Sequence, residues 1–380
     1  MTAINTLGCG NYEAYFKVKG GDTFVSRIVN ITSLTWGRKL NDVSEATVKF
    51  ALRGLEGDCC EAVASINPWQ HELAIFRDGS EVWCGPIVGG EIDQTSSFVT
   101  FNARDLSTWF DRRWVEITPD DVEFEDADIT VVFDWLIAHA YDKDPWEMTW
   151  SFPEKLGIPI TRTYIAYATG ERWGGNYPMV GTELRNLSNS GIDYTVVRRT
   201  MIAGDLRDSL NKISGVITDK HWKVLPNITI VGTSMATEVA VAGGNGGYYG
   251  WEDDQIWIEK PVDVSRTTFG LLQRFESAPS LDEDDTVNLP NPITQLAYNL
   301  RELRKNPFEY ISGGELSSDA AVTFDTLIPG AYFRVSLAQT CRKIQSNYLL
   351  TGVQVTYDVS GEHVSLELVP PGSENVRGDI

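Results

Sequence analysis

The amino-acid sequence predicts a mainly β protein with a few helices. Runs of alternating apolar and polar residues, the pattern of strands with one buried face, recur along most of the 380 residues. Turn residues typical of β-hairpins separate several of these runs. Helical periodicity is confined to three segments. A chain of this length is also expected to form two to four domains.

The clearest strand patterns lie between residues 31 and 87. The segment 44–52 places Ala46, Val48, Phe50 and Leu52 on one face of a strand. The run 72–77 leads into Asp78-Gly79, a dipeptide that tolerates positive φ in a tight hairpin turn. Residues 81–84 form the returning strand, and Gly85-Pro86 is expected to end it.

Further strands are predicted across the rest of the chain by the same alternation. They cover residues 97–103, 194–197, 227–231, 238–242, 255–259, 331–337, 349–357 and 363–369. The last two are separated by residues 358–362, which contain Gly361 and are typical of a hairpin loop.

Three helices are predicted. The first covers residues 129–141 with Asp128 as its N-cap, and the second covers 181–190 with Gly191 as its C-terminal stop. The third covers residues 292–305, where Asn291 precedes a proline in the first turn. Its expected buried stripe consists of apolar residues at helical spacing: Ile293, Leu296, Ala297, Leu300 and Leu303.

Composition narrows the function classes. The net charge of −21 argues against tight nucleic-acid binding, which needs lysine and arginine to neutralise phosphates. No apolar run approaches the roughly 20 residues of a membrane span, and no signal peptide is visible. The five cysteines (Cys9, Cys59, Cys60, Cys84 and Cys341) are irregularly spaced, which favours buried thiols over a zinc site. We therefore expect synthesis in a cytoplasm and no disulfides.

The sequence predicts no catalytic, cofactor-binding or metal-binding residue. The four histidines (His71, His139, His221 and His363) are scattered, and the zinc-protease, serine-hydrolase elbow and phosphate-loop motifs are absent. The glycine-rich run at 243–250 lacks dinucleotide-loop spacing. The acidic clusters at 120–121, 252–254 and 282–285 do not match a calcium loop, and solvated surface is the better interpretation.

Three places in the sequence resemble the tail-tip hub, or minor tail, proteins of long-tailed siphophages, especially phages of actinobacteria. The first place comprises residues 36–46, 68–75, Arg77-Asp78-Gly79 and 82–87. The second is 103–110 followed by Arg112-Arg113, which in this family marks the exit from the first barrel. The third comprises 313–317, 319–322, 327–331 and 349–355, and is similar to the closing barrel of the family.

The resemblance implies a virion structural protein rather than an enzyme. Hubs of this family are trimers whose subunits each carry two tail-tube-like β-barrel domains with intervening α+β domains. Six barrels then match the sixfold tail tube while the trimer presents threefold symmetry to the tip. The implied partners are two further copies, the distal tail protein, the tail tube and tape measure proteins, other tail-tip or fibre proteins, and ejected DNA in transit. The implied location is the virion tail tip, after synthesis in the host cytoplasm.

The expected division of the chain follows from these patterns. Residues 1–105 form the first tube-like barrel, and 106–194 an α+β decorating domain. Residues 195–242 and 307–370 form the second barrel, split by an inserted segment at 243–306, and 371–380 is a C-terminal tail. Two alternatives remain open: a distal tail or receptor-binding minor tail protein, and, from another class, a carbohydrate-active β-sandwich enzyme or binding module.

Overall fold

The computed structural model describes residues 6–20, 23–51, 63–93, 95, 97–116, 121–143, 145–152, 155–164, 178–204, 206, 213–232, 235–243, 255–259, 268, 271–278, 301 and 307–371. Strands dominate, which confirms the mainly β prediction. The predicted helix at 292–305 lies outside these residues except for Arg301, as do Leu52, Cys59 and Cys60.

The N-terminal part forms an antiparallel sheet that we call the first β unit. Its strands are β1 (Tyr12–Val18), β2 (Phe24–Ile28), β3 (Ile31–Lys39), β4 (Glu45–Ala51), β5 (His71–Arg77), β6 (Ser80–Asp93) and β7 (Phe98–Arg104). They are ordered β2-β1-β5-β6-β7-β4-β3. As the alternation predicts, Ala46, Val48 and Phe50 of β4 are buried. Asp78 and Gly79 form the β5–β6 turn, both with positive φ.

The prediction that Gly85-Pro86 ends a strand is wrong. β6 continues to Asp93, and it pairs with β5 up to Pro86 and with β7 from Ile87 onward. Pro86 thus lies where the strand changes partner. Gly85 is needed because a Cβ there would lie 1.8 Å from the carbonyl oxygen of Arg104. Glycine and proline here mark a close backbone approach rather than a strand end.

A central α/β region follows, beginning with the 3₁₀ segment Leu106–Arg112. It contains β8 (Val122–Asp128), α1 (Ile129–Lys143), β9 (Thr149–Ser151), β10 (Pro159–Tyr164), α2 (Val180–Asn189), β11 (Asp193–Val197) and β12 (Thr200–Gly204). β8 pairs with β10, and β12 pairs with β11 and β9. Asp128 accepts the N–H of Thr130 at 3.0 Å, as expected of an N-cap, and Leu184 and Leu187 of α2 are buried.

The C-terminal part forms the second β unit. It begins with β13 (Ile213–Thr218), β14 (Trp222–Val224) and β15 (Asn227–Val231) and continues with β19 (Phe308–Gly313), β20 (Glu315–Leu316), β21 (Tyr332–Leu337), β22 (Ile344–Asp358) and β23 (Gly361–Val369). Between these two groups in the chain, a separate three-stranded sheet is formed by β16 (Glu238–Gly243), β17 (Gln255–Glu259) and β18 (Gln273–Ala278). Short 3₁₀ turns cover Asp219–His221 and Phe324–Thr326.

The two β units share one sheet and one core. β3 pairs antiparallel with β22, from Lys39 opposite Gly352 to Ser33 opposite Asp358. Buried side chains of both units form a single apolar cluster, in which Trp36 contacts Phe324 with ring centroids 5.5 Å apart. The central region has its own cluster around α1, α2 and Trp146, and Ala74 and Cys84 of the first unit reach into it. Apolar burial therefore fixes all three regions against one another.

Candidate functional site at the junction of the three regions

Charged side chains with apolar surroundings concentrate where the three regions meet. β23 places Glu362, Val364, Leu366 and Leu368 on one buried face, so the alternation that builds the core also buries a carboxylate. β5 does the same with Arg77, which follows Leu73 and Ile75 on the same face. β3 buries Arg38 after Leu34 and Trp36. Buried charges need partners, so their contacts define the junction.

Glu362 is the centre of a buried network that joins the two β units. Arg77 donates two hydrogen bonds to its carboxylate, from Nε to Oε1 at 2.7 Å and from Nη2 to Oε2 at 3.0 Å. The Tyr12 hydroxyl donates to Oε1 at 2.5 Å, and the backbone N–H groups of Gly8 and Gly10 donate to Oε2. Arg77 Nη2 also donates to the carbonyl of Thr6 at 2.7 Å. The network ties the N-terminal segment to the last strand.

Ionisation in this network follows from those contacts. Burial alone would raise the pKa of Glu362, but the hydrogen bonds from Arg77 and Tyr12 outweigh it, and its pKa lies below the usual value. Burial, and then the neighbouring Glu362 carboxylate, raise the pKa of the Tyr12 phenol far above its usual range. The carboxylate is thus held charged and the phenol neutral, which makes the network a structural clamp rather than a proton-transfer site.

Two further contacts fasten the central region to the first β unit. Arg199, in the turn between β11 and β12, donates to the fully buried Glu72 of β5 at 2.8 Å and to the carbonyl of Trp146 at 3.2 Å. Asn41 donates from its side chain to Asp193 at 2.7 Å and accepts the N–H of Tyr194 at 2.8 Å. These contacts set the position of the β11–β12 turn.

A cavity of about 520 Å³ lies near these contacts, at the junction of the three regions. Its walls come from β3, β5, β6, the β11–β12 turn with β12, and the 3₁₀ turn at Phe324–Thr326. All three regions of the chain therefore contribute to it. Its lining residues are Arg38, Arg77, Ser80, Val82, Val197, Arg198, Thr200, Ile202, Phe324, Asp325 and Ile328.

A chain of polar contacts at the β22–β23 hairpin has the order of a serine-hydrolase triad. Ser360 Oγ lies 2.7 Å from His363 Nε2, and His363 Nδ1 lies 2.8 Å from Glu315 Oε1. However, Ser360 Oγ also lies 2.5 Å from Asp358 Oδ1, which accepts the Ser360 N–H as well. The Ser360 hydroxyl has one hydrogen, and Asp358, two residues before it, offers the shorter contact. Ser360 and Asp358 thus form a local polar turn at the hairpin, and Glu315 is also paired with Lys223 at 2.6 Å.

The other residues singled out by the sequence are dispersed. His71 Nδ1 accepts the N–H of Asn67, His139 Nε2 accepts the N–H of Glu116, and His221 closes a 3₁₀ turn through Thr218. Cys84 is buried, while Cys9 and Cys341 are exposed. Within the described ranges, no group of three or more His, Cys, Asp or Glu side chains is placed to hold a metal ion.

Sequence reasoning missed Arg38, Arg77, Glu72 and Glu362 as members of a site. A signal was present, because each is a charged residue on the apolar face of an alternating strand. The alternation shows that such a residue is buried, but its partner lies on a distant strand and is visible only in the folded chain.

The described part of the chain contains no helix long and apolar enough to cross a membrane.

The likeness of this chain to known proteins is one of structure. No family model matches the sequence, and no curated protein matches it. The 43 kDa tail protein of prophage MuSo2 from Shewanella oneidensis superposes with a TM-score of 0.62 at 11% identity, covering 95% of this chain and 98% of the other. A tail protein of Neisseria meningitidis MC58 gives 0.61 at 13% identity, covering 95% and 97%.

A third solved structure extends the same likeness. The prophage tail protein gp18 of Listeria monocytogenes EGD-e gives a TM-score of 0.58 at 12% identity, covering 96% of each chain. All three matches run over nearly the whole length of both proteins. The chain therefore has the fold of these prophage tail proteins, although only 11–13% of its sequence is identical to theirs.

Proposed function

We propose that this chain is a structural protein of a phage tail, and more narrowly the hub of the tail tip. The observation that carries the proposal is a fold shared with prophage tail proteins over almost the full length of each chain. An ordinary β-sandwich enzyme or binding module would not be expected to share the two β units and the central region together. The motif resemblance to siphophage hubs in the first unit and in 313–355 supports the narrower assignment.

In this proposal three copies form a ring around the DNA channel. Each copy contributes two β units, so a trimer offers six units to the sixfold tail tube and threefold symmetry to the tip. The two units are bounded by residues 1–105 and by 213–232 with 307–371. The proposed end of the intervening α+β domain is residue 204 rather than residue 194. The reason is that β11 pairs with β12, and β12 pairs with β9 of that domain. The proposed neighbours are the distal tail, tail tube, tape measure and fibre proteins.

The charge of the chain is consistent with a conduit for DNA. A basic channel wall would bind the phosphates through counterion release and hold the strand. With a net charge of −21, the proposed wall is acidic or neutral. DNA then passes without being retained.

The assembly is tested by native mass spectrometry of the purified chain and by imaging of the particle. A trimer, seen as a ring at the tail tip with the channel wall acidic or neutral, is the expected result. A chain that is monomeric inside the particle, or a wall dominated by lysine and arginine, would contradict the hub assignment.

The absence of enzymatic activity is a separate part of the proposal. Peptidoglycan and polysaccharide cleavage assays are expected to give no signal above buffer. The Ser360→Ala variant serves as the matched control, since the polar chain at the β22–β23 hairpin has the only triad-like order in the described residues. Cleavage by the parent that disappears in this variant would overturn the non-enzymatic assignment.

A further inference from the structure

Arg38 is a buried cation that forms no ion pair with the described residues. Its side chain is 4% exposed. It donates one hydrogen bond, from Nη1 to the carbonyl of Leu327 at 3.2 Å, and Nε has no partner among the described residues. No carboxylate of the described chain lies within ion-pair distance of it. An arginine in this state is costly, because the charge has lost its water without gaining an anion in direct contact.

Aromatic rings offset part of that cost. The guanidinium carbon lies 5.4 Å from the centre of the Trp36 ring and 5.1 Å from that of Phe324. Such contacts stabilise a desolvated cation, but a ring carries no net charge and so does not neutralise it. The rings also fix the guanidinium at the cavity wall. The guanidinium group of Arg38 is therefore held in place, but its charge is not neutralised.

A second cation faces the same cavity. Arg198 lies at positive φ in the β11–β12 turn, and its exposed side chain has no ion pair or hydrogen bond within the described part of the chain. Burial, and then the nearby Arg198 charge, lower the pKa of Arg38 to about 10, against smaller raising effects of Tyr12 and Asp325. The third lining arginine, Arg77, is already neutralised by Glu362. Two cations thus remain against the single lining carboxylate, Asp325.

The rest of the lining is largely apolar. Val82, Val197, Ile202 and Ile328 contribute hydrocarbon surface, and the volume of about 520 Å³ exceeds that of an inorganic ion. Guanidinium groups match the geometry of carboxylate and phosphate oxygens. The two features together indicate an occupant with an anionic head and an apolar body.

We propose that this cavity binds an organic oxyanion, whose carboxylate or phosphate group pairs with Arg38 and Arg198 while its apolar part contacts Val82, Ile202 and Ile328. The oxyanion is supplied either by a free small molecule or by an acidic side chain of a second copy of this chain. The inference does not depend on the hub assignment, because it rests on the cavity alone.

The free-molecule source is tested by thermal unfolding of the full chain with phenyl phosphate, with inorganic phosphate, and with sodium chloride at matched ionic strength. Phenyl phosphate should raise the melting temperature saturably and more than inorganic phosphate does. Arg198→Gln should weaken this binding about tenfold or more, since a hydrogen bond to a charged group contributes about 1.5–3 kcal/mol. The matched control is Arg104→Gln, which removes an exposed arginine outside the cavity and should bind like the parent.

Arg38→Gln supplies the second variant. It should unfold at the same or a higher temperature than the parent without ligand, because it removes an unpaired buried charge, and yet lose the response to phenyl phosphate. If this variant does not fold, Arg198→Gln still decides the question, since that side chain is exposed. A response to phenyl phosphate that persists in both variants would place binding elsewhere and overturn the proposal.

If the oxyanion is an acidic side chain of a second copy of this chain, the expected result is different. Native mass spectrometry without added anion would then show self-association that phenyl phosphate and Arg198→Gln both reduce, while Arg104→Gln leaves it unchanged. This outcome supports the cavity as an oxyanion site filled by a partner side chain. The proposal is overturned if phenyl phosphate has no effect beyond matched salt and self-association is also insensitive to Arg198→Gln.

Discussion

The two β units each contain a three-stranded antiparallel meander with a long middle strand: β5–β6–β7 in the first and β21–β22–β23 in the second. In both, the first half of the middle strand pairs with the preceding strand, and the second half pairs with the following one. The change of partner falls at Pro86 and Ile87 in β6 and at Leu349 in β22. An irregular register follows within a few residues in each case. The two meanders therefore share one plan of strand pairing.

The surroundings of the two meanders differ. The second half of β22 has β23 on one side and β3 on the other, and most of its residues are buried or half-buried. The second half of β6 pairs with β7 and, in the described ranges, with no other strand, and Gly90, Glu91 and Ile92 are exposed. The same local plan therefore serves as the centre of the sheet in one unit and as a border in the other. Position in the sheet, rather than the meander itself, decides how much of the strand is covered.

The two meanders are linked by a buried ion pair between Arg77 and Glu362, beside the two hairpin turns. Glu362→Gln should lower the free energy of unfolding by about 1.5–3 kcal/mol, because it removes the charged acceptor of two hydrogen bonds from the buried Arg77 and leaves Asp78, 3.3 Å from Nη1, as a remaining counter-charge. The matched control is Glu13→Gln, which removes a carboxylate from the exposed pair with Arg27 and should cost less than about 1 kcal/mol. Urea unfolding measures both variants, and equal losses would show that the buried clamp has no special weight.

The same comparison has a pH signature. The folded pKa of Glu362 lies below its ordinary value of 4.5, so its stabilising contribution is complete above that value. The contribution decreases as the pH falls below 4.5 and through the lower folded pKa. The parent should therefore lose more stability than Glu362→Gln between neutral and acidic pH. Parallel stability curves for the two proteins would contradict this assignment.

Truncation at the two partner changes compares the meanders directly. Ile87 and Leu349 are both fully buried, so Ile87→Ala and Leu349→Ala should each cost about 2–5 kcal/mol through lost burial and a residual cavity. Leu349 should lie at the upper end, since it is paired with Tyr332 on one strand and Val369 on another. Chemical denaturation gives both values. A negligible loss at either position would mean that the strand crossing there is not part of the packed core.

The two hairpin turns give the smallest expected effects. Gly79 has φ near +79° and open space where a Cβ would lie, so Gly79→Ala should cost about 1 kcal/mol from backbone strain alone. Val359, in the other turn, is 98% exposed, and Val359→Ala should change stability by less than about 0.5 kcal/mol. Melting temperatures resolve the difference. A larger loss at Val359 than at Gly79 would reverse the assignment of strain to the first turn.

Local patterns predict the strands best where one face of the strand is buried and the other is exposed to solvent. β4, β15 and β21 begin and end within a residue or so of the predicted positions, and Asp78-Gly79 forms the predicted turn. α1 and α2 were predicted for the same reason, since apolar residues at helical spacing face one core. Short strands such as β9, β14 and β20 carry too few residues for a periodicity to be visible.

The class of fold, the faces of the longer strands and the turn at Asp78-Gly79 are therefore readable from local patterns, because they depend on neighbours within a few residues. Tertiary structure alone decided that Gly85-Pro86 continues a strand, since that depends on the backbone of Arg104. It also decided that Arg77 meets Glu362 and that Arg38 and Arg198 share a cavity. Those residues are between 160 and 285 positions apart in the chain, and no local periodicity encodes which distant charges a shared core will bring together.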